Sequence, residues 1–388
     1  MLGAQFQMQK SGDRVHFYLF KFHRIGGVAS GLLLLILGVS GSVMAFSGEI
    51  DCLLHSSLFK VVPEGQPLSL SQLASSAASV LHAGESIDTC LPSTRADASY
   101  SFIVFRAHHR ISRQIFVDPY TGRVLGSLSA VRFTSIMKAL HSIAGVLGCS
   151  SIILVNLVLS GLHLWWSRKQ IKIRLSGNVQ RFSFDLHNSI GLFASLFLFL
   201  FAVTGIYMVF GPPSFAITSK PVTQPAFSTP QVGLKPVSLD LVAAAAKDTL
   251  PGATVLWLAI PRQPSEAYFV KMRFPEDRSD NGGSAVWIDQ FSGKVLAVAN
   301  SRAVPLENKI QTISRVIHTG AVLGNGGRAF AAFMSLILVL QTVTGLQLWW
   351  NRRRRNEGHP NPLDAGCPTN RGAPSKLCSG GRPNPTQL

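Results

Sequence analysis

Charge is scarce in this 388-residue chain: Asp, Glu, Lys and Arg make up 14% of it, and 19 acidic residues stand against 36 basic ones. With 47% hydrophobic residues beside so little charge, an ordinary soluble protein is excluded. Cysteine is also scarce. The five cysteines show no C-x-x-C spacing, which removes the thiolate metal centres. There is no G-x-G-x-x-G, flavin or P-loop signal, so nothing in the chain takes hydride directly from a nicotinamide. Nor is there a Ser-His-Asp or H-E-x-x-H arrangement to support a peptidase.

What is present is long apolar runs, in four places: Ile25 to Phe46, Leu140 to Trp166, Ile190 to Phe210 and Ala329 to Trp350. Each is near the roughly 20 residues that cross a hydrocarbon core. The first is too long for a signal-peptide core and the pattern recurs, so a membrane span is expected there and not a cleaved leader. His141 and His163 bracket the second run. On one helix their 22-residue separation is about 33 Å of rise and about 40° from whole turns, placing both imidazoles on one face at opposite membrane boundaries.

The net charge of +17 is read by position. The N-terminal segment, the loop after the second run and the tail after Trp350 hold 16 basic and 4 acidic residues, a balance of +12. The two long loops hold 8 basic against 7 acidic and 11 against 8. This asymmetry assigns the excess to membrane topology and not to nucleic acid, with both termini and the short loop cytoplasmic. Cys52 and Cys90 then lie on the oxidising side, as a disulfide or as two unrelated thiols. Cys149 is expected to pack inside a span, and Cys367 and Cys378 lie in the tail.

The chain also reads as one unit used twice. FHRIGGVASGLLLLILGVSGSVMAF and LHNSIGLFASLFLFLFAVTGIYMVF align His23 with His187, each 18 residues before the Gly of Ser40-Gly41 or Thr204-Gly205. The loops that follow are too long to be simple connections and must fold. Tyr100 to Phe105 alternates as a strand, and IFVDPYTGRVLG reads strand, turn, strand; AVWIDQFSGKVLA repeats it, with Asp289 and Gly293 at the places of Asp118 and Gly122. An Ala-rich helical segment precedes each hairpin, Leu70 to His82 and Leu239 to Leu250. Pro212-Pro213 and Pro221 to Pro236 form a stiff entry to the second module. LHSIAGVLG with SGLHLWW is matched by IHTGAVLGNGGRAF with TGLQLWW, aligning His141 with His318 and His163 with Gln347. Seven extra residues between His318 and its Trp pair add about 10 Å if the helix is continuous, and Asn325-Gly326-Gly327 is the expected break point. His108-His109, among Arg106, Arg110 and Arg113, read as a solvated strand edge or an anion site.

The pattern H-x-G-x-x-x-G-x-x-G-R, then T-G-x-x-x-W-W and an Arg run from His318 to Arg355, with the two D-x-x-[ST]-G-[RK]-V hairpins, resembles the PepSY-associated transmembrane family over nearly all of Val15 to Arg355. The implied fold is a membrane all-α four-helix bundle with two extracytoplasmic α+β PepSY-like modules, internally duplicated. Its parts are a lead-in (1–24), span one (25–46), module one (47–137), span two (138–166), a cytoplasmic loop (167–186), span three (187–210), module two (211–309), span four with an outer extension (310–350) and a basic, disordered tail (351–388).

Four positions match the family's span histidines: His23 and His187 at the inner ends of spans one and three, His141 and His318 at the outer ends of two and four. Neutral imidazole is an axial ligand of haem iron, and bundles build cofactor sites from inward side chains on facing helices. The expectation is two haem b groups, His23 with His187 and His141 with His318; without C-x-x-C-H, covalent attachment is excluded. A lone boundary histidine more simply snorkels to a headgroup. The nearby Gly26, Gly27, Gly145 and Gly191 suit a flat ring or close helix packing equally. Another metal stays an alternative, although no carboxylate or thiol accompanies the histidines. His163, at the depth of His23 and His187, is the alternative inner ligand. Because the family includes iron-regulated membrane proteins and ferric-siderophore reductases, the resemblance implies an inner-membrane ferric-chelate reductase. It would take electrons from a cytoplasmic or membrane-borne donor and deliver them to ferric iron or a ferric siderophore in the periplasm. The alternative is a haem-free sensor or protease-regulating scaffold.

Overall fold

The computed structural model describes residues 2–106, 110–167, 169–174, 178–210, 226–231, 233–303 and 306–357. The His108-His109 patch, Pro212-Pro213 with Pro221 and Pro225, and the tail beyond 357 with its two cysteines lie outside the described residues. In chain order the first half holds α1 (Leu2–Met44), α2 (Ser47–Leu54), α3 (Ser56–Phe59), α4 (Leu70–Ala78), β1 (Glu85–Leu91), β2 (Tyr100–Arg106), β3 (Arg110–Val117), β4 (Val124–Ser129), α5 (Phe133–His141) and α6 (Ala144–Trp166). The second half holds α7 (Val179–Phe210), α8 (Leu239–Thr249), β5 (Thr254–Ala259), β6 (Tyr268–Arg273), β7 (Ser284–Ile288), β8 (Val295–Ala299), α9 (Leu306–His318), a 3-10 turn at Ala321–Leu323 and α10 (Gly324–Glu357).

Four helices are long and apolar enough to cross a membrane, over Arg14–Met44, Gly148–Trp166, Val179–Phe210 and Ala321–Arg354. α1 and α7 each pack against both α6 and α10, so they face one another across a diagonal. Small residues set the closest approach: a Cβ at Gly38 would collide with Val339 and the Ser335 carbonyl, 2.7 and 2.8 Å away. Arg328 of α10 caps the end of α1, donating to the Ala45 carbonyl (2.6 Å) and pairing with Glu49 (2.7 Å).

The stretch expected as one helix from His141 to Trp166 is broken. His141 ends α5, Ser142 closes it through its N–H on the Lys138 carbonyl, and Ile143 is extended before α6 begins. α5 is fixed from outside the bundle, because Asp51 of α2 accepts from Arg132 Nε (2.8 Å) and Thr134 Oγ1 (2.7 Å). The chain therefore has to turn to enter the span. The second half breaks in the corresponding place, though not at Asn325-Gly326-Gly327, which is helical. The break is at Gly320, whose φ of +74° is open to glycine and where any Cβ would collide with the Gly327 carbonyl.

The two modules, expected as separate units, share one eight-stranded antiparallel sheet of order β4-β3-β2-β1-β5-β6-β7-β8. β1 and β5 join them at Thr89↔Ala259 and Cys90↔Leu258. α4 and α8 lie side by side on one face and bury a single apolar cluster, from Leu73, Phe102 and Ile115 to Val242, Val270 and Ile288. Asp240 of the second half accepts from the N–H groups of Leu70 (2.7 Å) and Ser71 (3.3 Å) at the start of α4, a cap across the two modules. The hairpins are built alike: the Asp118 and Asp289 carboxylates accept from backbone N–H groups two and three residues on, and Gly122 and Gly293 take φ of +70° and +72°. Cys90 is fully buried at the sheet's centre and unbonded to Cys52, so no disulfide forms; Cys149 lies inside the second span as expected, but it is exposed and does not pack there.

Candidate cofactor site: paired histidines in the bundle

The structure brings the four predicted histidines together as two pairs. The His23 and His187 rings lie 6.4 Å apart between centroids, and so do those of His141 and His318. His23 projects from α1 and His187 from the diagonal helix α7, while His141 and His318 sit at the ends of α5 and α9. The pairs are separated along α1 by the 17 residues from His23 to Ser40, about 25 Å.

Each imidazole is held the same way by a neighbouring helix. His23 Nδ1 meets Ser160 Oγ (2.9 Å), and His141 Nδ1 meets Ser40 Oγ (3.1 Å). His187 Nδ1 meets Thr344 Oγ1 (3.0 Å) and the Gln341 carbonyl (3.1 Å); His318 Nδ1 meets Thr204 Oγ1 (3.0 Å) and the Phe201 carbonyl (3.1 Å). A carbonyl only accepts. Each hydroxyl in turn donates its proton to the carbonyl four residues earlier in its own helix, as Ser160 does to Asn156 (2.7 Å) and Thr204 to Leu200 (2.8 Å). Nδ1 therefore carries the proton in His23, His141 and His318, which leaves each of those Nε2 atoms with a free lone pair.

The residue after each hydroxyl is glycine. A Cβ on Gly161, Gly41, Gly345 or Gly205 would stand 3.2, 3.1, 3.2 or 3.5 Å from Cε1 of His23, His141, His187 or His318. Ser40-Gly41, Ser160-Gly161, Thr204-Gly205 and Thr344-Gly345 thus form four ring seats, with a hydroxyl to orient each ring and space to admit it. The glycines expected to serve the rings do not. Gly26 faces Leu157, Gly191 faces Gln341, Gly27 meets nothing within 4 Å, and the surroundings of Gly145 fall outside the described residues.

A metal–imidazole bond of about 2.0 Å and a nitrogen-to-centroid distance of about 1.15 Å put two trans imidazoles on one iron about 6.3 Å apart, against about 5.1 Å at a tetrahedral ion. Both pairs match the trans value. Among the described residues no group of three or more His, Cys, Asp or Glu converges, so each pair offers two imidazoles and no further side-chain ligand of those types. The residues fit haem.

His163, the alternative inner ligand, sits elsewhere. It is exposed and faces His16 of α1 at 6.4 Å, a third pair for which sequence reasoning assigned no role to His16.

A family model described as PepSY-associated TM region matches residues 20–352. The chain belongs to this family. The PepSY-associated region takes in all four helices, the sheet and both seated histidine pairs, so the protein is a membrane protein and its paired rings lie within the family's matched region. A search of curated proteins returned no match.

Proposed function

We propose that this PepSY-associated membrane protein binds two haem b groups, one between His23 and His187 and one between His141 and His318, and passes electrons along the bundle to ferric iron or a ferric siderophore. The observation that carries the reading is the fourfold seat: each Nδ1 lies against a serine or threonine hydroxyl of a neighbouring helix, and the two rings of each pair stand 6.4 Å apart between centroids. Haem held there would supply one-electron redox chemistry. The chain's own residues fix the tautomer, keep the rings from turning, and surround the sites with apolar helix.

The charge distribution supports an inner-membrane orientation with the termini cytoplasmic and the sheet outside, so His23 and His187 would face the electron donor and His141 and His318 the ferric acceptor. Protein purified from haem-replete cells should be red, with bis-imidazole α-bands on dithionite reduction that disappear when a ferric chelate is added. Colourless protein from such cells would overturn the reading and leave the haem-free scaffold. His141→Ala or His318→Ala should remove one haem equivalent and abolish ferric reduction, while the His23–His187 haem keeps its spectrum.

A further inference from the structure

Resting on the haem reading above, we infer that His16 and His163 form a third bis-imidazole haem site, at the end of the bundle remote from the sheet. Their centroids are 6.4 Å apart, the separation of the two seated pairs and of trans ligation at one iron. Neither imidazole has a hydrogen-bond partner among the described residues, so the facing rings have no structural bond to explain them.

The two halves of the chain give an internal comparison. Counting from His23 and His187, the counterpart of His16 is Gln180; counting from Ser160 and Thr344, the counterpart of His163 is Gln347. The seated histidines are kept in both halves, whereas these two are both histidine in one half and both glutamine in the other. A pair that changes together is a pair in contact, as the facing rings are. In the second half Gln347 instead accepts a hydrogen bond from Ser183 (2.9 Å).

Phe17 and Trp166, close to His16 and His163 in sequence, are exposed, and Lys21 and Lys169 lie over their rings at 5.0 and 4.6 Å, which puts two cations at this end of the bundle for propionates. His16 precedes His23 by seven residues, about 10 Å along α1, which places this site beyond the His23–His187 pair on the side of the termini. With no hydrogen bond to either ring from the described residues, the site should hold haem less tightly than the other two, by about 10–100-fold.

The test is haem per chain in full-length protein from haem-replete cells, with the low-spin ferric signals counted by EPR. The inference expects three haems in the parent protein and two in the double variant His16→Gln/His163→Gln, which copies the second half and so preserves the fold. Two haems in both proteins would overturn this inference and leave the two-haem reading standing. A haem count of two with a chelator-removable bare ion at the pair would overturn it as well. No haem in either would overturn both.

Discussion

At the scale of single residues, four dipeptides, Ser40-Gly41, Ser160-Gly161, Thr204-Gly205 and Thr344-Gly345, seat the paired rings. Their sequence signal was visible, since two of them define the repeat of the first and third spans and the other two open SGLHLWW and TGLQLWW. What was not visible is which histidine each one serves. His23 is 137 residues from Ser160, and His187 is 157 from Thr344, so only the packing of helices connects them. The glycines adjacent in sequence, Gly26, Gly27 and Gly191, were attractive for the same ring-clearing reason and face other side chains instead. Ser40→Ala removes the hydroxyl that orients His141 through Nδ1 and should loosen the proposed haem there about tenfold, measured by haem transfer to apomyoglobin. Gly41→Val places branched carbon where the ring now sits and should empty the site. Both variants should leave the His23–His187 spectrum unchanged.

At the scale of elements, the histidines nearer the sheet are not on the spanning helices. They end α5 and α9, short segments anchored beside the bundle, and a chain turn separates each from the span that follows. Periodicity across Leu140 to Trp166 could not reveal this, because the apolar run continues through the turn at Ser142 and Ile143. The anchor of α5 is Asp51, buried and bonded to Arg132 and Thr134. Asp51→Ala leaves the partly exposed Arg132 guanidinium only its long bonds to Ser129 and Gln114 and should cost about 1–3 kcal/mol in denaturant unfolding. It should also release haem from His141 and His318 before the other pair. Gly320→Ala should act on α9 in the same sense, by forcing a side chain into a left-handed turn already filled by the Gly327 carbonyl.

At the scale of the whole molecule, one sheet ties the halves together, and its electrostatics set an acid limit. Burial pushes Glu85 up, but bonds from Arg113 (2.8 Å), the His82 N–H (3.0 Å) and Ser112 (3.0 Å) more than offset it and hold the carboxyl at about 2, below its ordinary 4.5. A depressed carboxyl stabilises the fold fully above its unfolded value. That contribution should therefore fade between about pH 4.5 and pH 2. Thermal unfolding followed by sheet circular dichroism should show this slope, and Glu85→Gln should flatten it. Reporters fused after Trp350 should behave as cytoplasmic and reporters in either sheet-forming loop as external; an external C-terminus would reverse which histidine pair meets the donor.

Four spans, two like hairpins and two Ala-rich helices followed from the sequence alone, because each depends on short-range periodicity, turn chemistry or transfer energy that a local stretch carries with it; the pairing of the four histidines was expected only through the internal duplication and the family resemblance. Three things were decided only by tertiary structure: the fusion of two modules through β1 and β5, the seating of each imidazole on a hydroxyl and glycine of another helix, and the meeting of His16 with His163. All three are contacts between surfaces whose partners lie more than a hundred residues away. No local pattern specifies which of several compatible edges or faces will meet; the closing of the bundle and the shared burial of α4 and α8 select them.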